Sequence, residues 1–321
     1  MAPGGLGTGE SGPRRAVVLG GAGFLGSHLV DGLLSEGFSV TSIDNLCTGR
    51  KENFEHCLGL SHFEFIDCDI EEMRTDIQCD LMFNLASPAS PEAYRRLPLE
   101  TLSAGSAGVK RSLEAARKSG ATYIFTSTSE VYGDPLEHPQ REGYFGNVNP
   151  VGPRSMYDEA KRFGEALITA YADVHNLDVR IARLFNTYGP RMREDDGRVV
   201  PMFMKQVFDG EEMTVHGDGL QTRSLCYVTD TVRGLIRLAD TAVASPVNIG
   251  NPEEVSILQL ADIIAEAAGV SEPRVRFMGA SPEDPRVRRP DIELARTMLG
   301  WKPEIGLREG IERTLMHFRQ G

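Results

Sequence analysis

Two groups of residues in this 321-residue chain are spaced for chemistry. Tyr157 and Lys161 stand four residues apart, which places both on one face of a helix. An ammonium beside a phenol favours the phenolate, so such a pair can act as a base near neutral pH. Thr126-Ser127-Thr128-Ser129-Glu130 closes a strand-like run. Hydroxyls at a strand end can hold a reacting alcohol or carboxylate. Either group alone is common; together they point to proton transfer on a polar substrate.

A third group suits binding. Gly20-Gly21-Ala22-Gly23-Phe24-Leu25-Gly26 fits both Gly20-x-x-Gly23-x-x-Gly26 and Gly21-x-Gly23-x-x-Gly26. Glycines let the chain turn sharply and approach a pyrophosphate, and the helix that follows offers free N–H groups. Asp44 ends the next apolar run, where a carboxylate meets the adenosine ribose hydroxyls, and this favours NAD over NADP. Arg50 argues the other way but lies farther along the loop. Asp69-Ile70, after a third run, suits the adenine rim.

These residues need a scaffold. Strands are expected at 16–19, 39–44, 62–66, 81–86, 123–127 and 179–184, with helices at 27–34 and over much of 99–118. This alternation argues for an α/β fold, a doubly wound parallel (Rossmann) sheet whose ligands sit beyond the carboxyl ends of the strands. Helices are expected at 199–208, at 228–240 and from Ser256, with Gln259 as capping-box partner, and a strand at 275–277. Heavy Gly and Pro punctuation at 185–223 and 279–290 predicts a smaller, loop-rich C-terminal substrate domain. The expected division is a loose tail at 1–15, a cofactor-binding domain at 16–185 plus about 226–255, and a substrate domain at about 186–225 plus 256–321.

Composition narrows the classes. The chain is 40% hydrophobic and 25% charged with a net charge of −12, an ordinary globular make-up. So acidic a chain, with no long basic run, is expected to bind neither nucleic acid nor anionic membrane. The five cysteines, Cys47, Cys57, Cys68, Cys79 and Cys226, show no C-x-x-C spacing. Neither a disulfide framework nor a metal site is expected. The uncharged stretch at 16–27 is too short to span a membrane, and Asp31 and Glu36 follow it too soon for an export signal despite Arg14-Arg15. The expected location is the cytoplasm.

At 20–29, 44–49, 127–135, 149–162, 184–192, 196–200, 221–223 and 284–292 the sequence resembles the extended short-chain dehydrogenases/reductases that act on nucleotide sugars. Thr128-Ser129-Glu130 followed by Val131-Tyr132-Gly133-Asp134-Pro135 is similar to the branch that decarboxylates UDP-glucuronate to UDP-xylose. The resemblance implies NAD as cofactor and a UDP-sugar as substrate. Oxidation at carbon 4 makes the carboxylate β to a ketone, carbon dioxide leaves, and re-reduction ends the cycle. It implies that Tyr157 takes the carbon 4 hydroxyl proton with support from Lys161. Thr128 and Ser129 position alcohol and carboxylate, and Glu130 crowds the carboxylate with like charge. Arg288 holds the carboxylate or orients the water that protonates carbon 5.

The same resemblance assigns cofactor contacts to Gly20, Gly23, Phe24, Leu25, Gly26, Asp44, Asn45, Thr48, Gly49, Asp69, Ile70, Leu85 and Ala86, besides Tyr157 and Lys161. It assigns substrate contacts to Asn186, Arg223, Arg198 and Tyr171, and leaves His175 as an exposed helix-end residue. Family members pair through two helices per subunit, which implies a homodimer through 100–118 and 157–171. Three places depart from the pattern: Leu19, Asn84 where a His is usual, and Glu92-Ala93-Tyr94-Arg95-Arg96-Leu97, which lacks the expected Asn residues. A 4-epimerase or 4,6-dehydratase on the same scaffold is the alternative enzyme. A non-catalytic NAD-binding regulator is the alternative from another class, and the intact Tyr157/Lys161 pair argues against it.

Overall fold

The computed structural model describes residues 12–271, 273–279 and 287–319. Its centre is a seven-stranded sheet, β1 Arg15–Leu19, β2 Ser39–Asp44, β3 Phe63–Asp67, β4 Leu81–Asn84, β5 Thr122–Thr128, β6 Val179–Leu184 and β7 Val247–Ile249. The order is β7-β6-β5-β4-β1-β2-β3, and every pairing is parallel. The winding reverses between β1 and β4, so a crevice opens there beyond the strand ends. All four residues of β4 are buried, as expected for a strand covered on both faces.

Helices cover both faces. α1 Phe24–Ser35 lies on one face, and Leu29, Val30 and Leu33 enter a core shared with Leu235, Ile236 and Trp301. α2 Pro91–Arg96 and α3 Pro98–Ser103 lead into α4 Val109–Ser119, and α5 Ser155–His175 packs beside α4 on the opposite face. Leu113, Ala116 and Ile168 anchor this second core. The helix expected over 99–118 is therefore broken. A wide π-helical turn at Ala104–Gly108 separates α3 from α4. A Cβ on Gly105 would stand 2.6 Å from the Ala160 side chain, and one on Gly108 would stand 2.5 Å from Ile70. Small residues let this turn press against α5.

α1 begins at Phe24, three residues earlier than expected, so the helix starts as soon as the glycine loop ends. β4 ends at Asn84 rather than at residue 86. Leu85 and Ala86 instead cross over Gly20, with the Leu85 amide donating to the Leu19 carbonyl at 2.9 Å.

The remaining elements build a smaller lobe. α6 Val199–Phe208, α8 Ile257–Ala268 and α10 Leu307–Phe318 pack around Phe203, Met204, Leu260, Ile264 and Ile311, while α7 Val228–Ala239 and α9 Glu293–Leu299 pack into the first core of the sheet. Short strand pairs, Met213–His216 with Val275–Met278 and Thr222–Ser224 with Glu254–Ser256, brace it. The capping box of Ser256 and Gln259 forms as expected. Asp284, Pro285 and Arg286 of the expected C-terminal motif, and residues 1–11 of the tail, lie outside the described residues.

Candidate active site

The glycine loop, the ends of β4, β5 and β6, and α2 and the start of α6 line one cleft of about 550 Å³. Its cofactor side is shaped for a dinucleotide. Gly20 has φ +81°, and a Cβ there would stand 2.9 Å from the Ala86 nitrogen. A Cβ on Gly26 would overlap the Gly20 carbonyl oxygen, so helix and loop can close only on glycine. No side chain caps α1, and no acidic residue occupies its first turn. Its first residues, Phe24, Leu25 and Gly26, line the cleft, so the uncapped N–H groups there suit an anion.

Asp44 ends β2. One carboxylate oxygen accepts from the Ala22 amide at 3.0 Å and the other from the Leu46 amide at 2.8 Å. Burial raises its pKa, and these two amides, with that of Gly23, work against that rise. Gly20, Gly23, Phe24, Leu25, Gly26, Thr48 and Leu85 line the cleft. Asp44, Asn45, Gly49, Asp69, Ile70 and Ala86 are not part of that lining. Asn45 donates to Asp69 at 2.7 Å, tying the β2 and β3 ends into one rim. Ile70 is buried against Gly108 rather than turned to the cleft.

On the reaction side, Tyr157 and Lys161 share a face of α5 as the four-residue spacing requires. The Tyr157 hydroxyl hydrogen-bonds Thr128, and its ring lies parallel to that of Tyr94 at 5.4 Å. Lys161 donates to the Thr126 carbonyl at 2.8 Å, with Nζ 4.8 Å from the Phe125 ring centre. Burial lowers Lys161 to about 8 and pushes the Tyr157 phenol well above its usual range. The expected lowering of Tyr157 by its lysine neighbour is outweighed here, because desolvation penalises the phenolate more.

Glu130 sits at the centre of a charged cluster. One of its oxygens accepts from Arg154 at 2.5 Å, and the other pairs with Arg288. Burial alone would raise Glu130, but Arg288 and Arg154 outweigh it and hold the carboxylate below its usual range. With two guanidinium groups on one carboxylate, the cluster keeps a net positive charge. The expected like-charge crowding by Glu130 is thereby neutralised in this geometry. Across the whole cleft, eight arginines and Lys161 face four carboxylates, Glu92, Glu130, Asp195 and Asp196. An acidic protein has therefore made its cleft basic, which suits a polyanionic ligand.

The other expected residues divide. Asn186, Arg198 and Arg223 line the cleft. Arg223 is buried and donates to the Thr222 carbonyl at 2.8 Å, while Arg198 pairs with Asp196 at 2.7 Å beside Phe24. Ser129 is buried in the turn after β5 and is not part of the lining. Tyr171 lies away from the cleft. Its hydroxyl donates to Glu114 of α4 at 2.8 Å, and fourteen residues of helix, roughly 21 Å, separate it from Tyr157. His175 is exposed, as expected. Asn84 does not reach the cleft either. It donates to Tyr123 at 2.8 Å and Ser112 at 3.2 Å and accepts from the Ala86 amide, so it fixes the β4 end.

Sequence reasoning passed over Arg154, Asp158 and Arg191, and gave Tyr94 no role. Arg154 stands one helical turn before Tyr157, and that spacing was a usable signal. Asp158 is buried, with one side-chain oxygen lacking a partner among the described residues. Arg191 lines the cleft and pairs with Asp31 at 2.8 Å. No helix among the described residues is long and apolar enough to cross a membrane.

Known proteins share this design. The family model described as "NAD dependent epimerase/dehydratase family" matches residues 16–250. The chain is 47% identical over 311 residues to UDP-glucuronic acid decarboxylase 1 of Xenopus tropicalis, covering 97% of this chain and 73% of that one. It is 48% identical to UDP-glucuronic acid decarboxylase 1 of Arabidopsis thaliana, covering 95% and 70%. Among solved structures, UDP-glucuronic acid 4-epimerase from Bacillus cereus, in complex with UDP-glucuronic acid and NAD, superposes with a TM-score of 0.86 at 28% identity. That match covers 96% of this chain and 99% of that one. With the glycine loop at the sheet switch and the paired Tyr157 and Lys161 beside it, the matched fold and sequence show that this chain belongs to the NAD dependent epimerase/dehydratase family.

Proposed function

We propose that the protein decarboxylates UDP-glucuronate to UDP-xylose, with NAD bound across the glycine loop. The observation that carries this reading is the Arg154–Glu130–Arg288 cluster, set in the same cleft as Tyr157 and Thr128. Glucuronate offers both a carbon 4 hydroxyl for the tyrosine and a carboxylate for the arginines. The relatives at 47–48% identity carry the decarboxylase name, which supports the same assignment.

Gly20, Gly23 and Gly26 would hold the pyrophosphate, and Asp44 the ribose. Bound NAD supplies a reversible two-electron acceptor. Tyr157 takes the carbon 4 hydroxyl proton, Thr128 orients that hydroxyl, and Lys161 holds positive charge beneath them. The resulting ketone lies β to the carboxylate, so the electron pair freed by loss of carbon dioxide is delocalised onto the carbonyl oxygen. Arg288 and Arg154 hold the carboxylate until it leaves, a proton then returns to carbon 5, and the ketone is reduced again at carbon 4 as Tyr157 returns its proton to the oxygen, which gives UDP-xylose with no net redox change. A guanidinium seldom gives up its own proton, so Arg288 acts by orienting a water. Asn186 and Arg223 hold the nucleotide diphosphate, Arg223 through its bidentate fork. We also infer that residues 16–185 with 226–255 hold the cofactor and 186–225 with 256–321 the nucleotide sugar. Two copies pair through α4 and α5; exposed Leu99, Leu102 and Phe163 on α3 and α5 support that pairing, and light scattering tests it.

The test is incubation with UDP-glucuronate and NAD. Released carbon dioxide and a UDP-pentose are expected. Unchanged mass with carbon 4 inverted would select the epimerase instead. Tyr157→Phe should abolish turnover, by roughly a thousandfold, while sparing NAD binding.

A further inference from the structure

Arg288 belongs to a stretch with little secondary structure of its own. Residues 287–289 are irregular, Pro290 makes an isolated bridge to Gln140, and α9 Glu293–Leu299 begins only beyond it. The Arg288 guanidinium pairs with Glu130 and donates to the Gly133 carbonyl at 3.2 Å, but the backbone that carries it must be fixed from elsewhere. Gln140 is fully buried, lies outside the cleft lining, and spends most of its polar atoms on this stretch. Its amide donates to the Arg289 carbonyl at 2.9 Å, and its carbonyl accepts from the Asp291 amide at 2.8 Å. Its side-chain oxygen accepts from the Arg289 amide at 2.8 Å, while its side-chain nitrogen donates to the Glu137 carbonyl at 2.7 Å.

Asn248 of β7 completes the clamp. Its side-chain nitrogen donates to the Gln140 carbonyl at 3.1 Å and to the Asp291 carbonyl at 3.0 Å. Its side-chain oxygen accepts from Tyr132 at 2.8 Å. The central sheet thereby reaches the residues flanking Arg288. An apolar side chain would fill the same space without the cost of desolvating an amide, so what the amide adds is register.

We propose that Gln140, backed by Asn248, is the positioning residue that aims Arg288 at Glu130 and at the substrate carboxylate. This rests on the decarboxylase reading above. A carboxylate held even an ångström out of place loses rate at its own step rather than in binding.

The experiment compares Gln140→Met, which keeps the volume, with Gln140→Asn, which keeps the amide but shortens it. Both are expected to retain wild-type circular dichroism and NAD affinity, and the KM for UDP-glucuronate within about threefold. The expected fall in kcat is roughly 10- to 100-fold. In single turnover, absorbance at 340 nm should rise and decay slowly, because carbon 4 oxidation outruns the carboxylate step. In an Arg288→Lys background, Gln140→Met should cost little more, since both changes act through one group. An unchanged kcat, an equal loss in the Arg288→Lys background, or failure of both variants to fold would overturn the proposal. Wild-type protein that releases no carbon dioxide would instead overturn the reading on which it rests.

Discussion

The Lys161 ammonium is aimed at a carbonyl rather than at its tyrosine partner: Nζ lies 2.8 Å from the Thr126 oxygen and 5.9 Å from the centre of the Tyr157 ring. A buried cation with one hydrogen bond and two aromatic faces is held at a cost. Under the function proposed above, that cost is kept because the group serves the reaction.

Removing the cation should therefore stabilise the protein. Free lysine titrates at 10.5, and burial lowers Lys161 to about 8. Between these values the unfolded chain binds more protons, so native stability rises with pH across that window. Lys161→Met lacks this titration. At pH 7 it should be more stable than wild type by about 1–2 kcal/mol, after allowing for the lost Thr126 hydrogen bond. The gap should close as pH approaches 10, and activity should be absent throughout. Denaturant melts at several pH values check this, and a variant less stable at pH 7 refutes it.

Asp158 carries the same kind of load with the opposite charge. Burial, then the nearby Glu130, push it up to about 7 from 3.8. Between those values the native state binds more protons, so stability falls as pH rises through the window, and the full penalty stands above pH 7. Asp158→Asn should gain about 1–3 kcal/mol at pH 8, with the gain shrinking as pH falls from 7 toward 4. A pH-independent difference between the two proteins would show that Asp158 does not titrate in this range.

The sheet was legible because alternation of apolar runs with helical stretches is local, as in Ser39–Asp44 and Val179–Leu184. The glycine loop, Asp44 and the Tyr157–Lys161 pair were legible for the same reason. Tyr171 was misplaced because the resemblance assigned it, although fourteen residues of one helix, roughly 21 Å, separate it from Tyr157. The break at Ala104–Gly108 depends on Ala160 and Ile70, which are remote in sequence. Gln140 carries no local signal. Its meaning appears only when residues 289–291 come to lie beside it.

Glu130 joins segments that the sequence holds far apart, so its loss should be felt twice. Glu130→Gln removes the carboxylate that Arg154 and Arg288 share, and breaking one partner of a buried pair costs about 3–5 kcal/mol. Turnover should fall as well. Adding Arg154→Met should restore part of the stability and none of the turnover, because the second change relieves repulsion without restoring the cluster. Thermal melts alongside the carbon dioxide assay separate the two effects. Full stability in Glu130→Gln would mean that the arginines find other partners.

Cofactor choice should turn on Asp44. Its carboxylate already accepts the Ala22 and Leu46 amides and a further backbone bond from Gly23, yet two carboxylate oxygens can accept about four. Acceptor capacity is left for a ribose hydroxyl, while the charge opposes a 2′-phosphate. Asp44→Asn keeps the shape but removes the charge, and its nitrogen cannot accept from the amide it would face. NAD affinity should fall roughly tenfold, the worth of a charged hydrogen bond, and the preference for NAD over NADP should narrow by a comparable factor. Calorimetric titration with both nucleotides measures the two numbers together. A preference that stays put while affinity falls would place discrimination elsewhere, with Arg50 the next group to change.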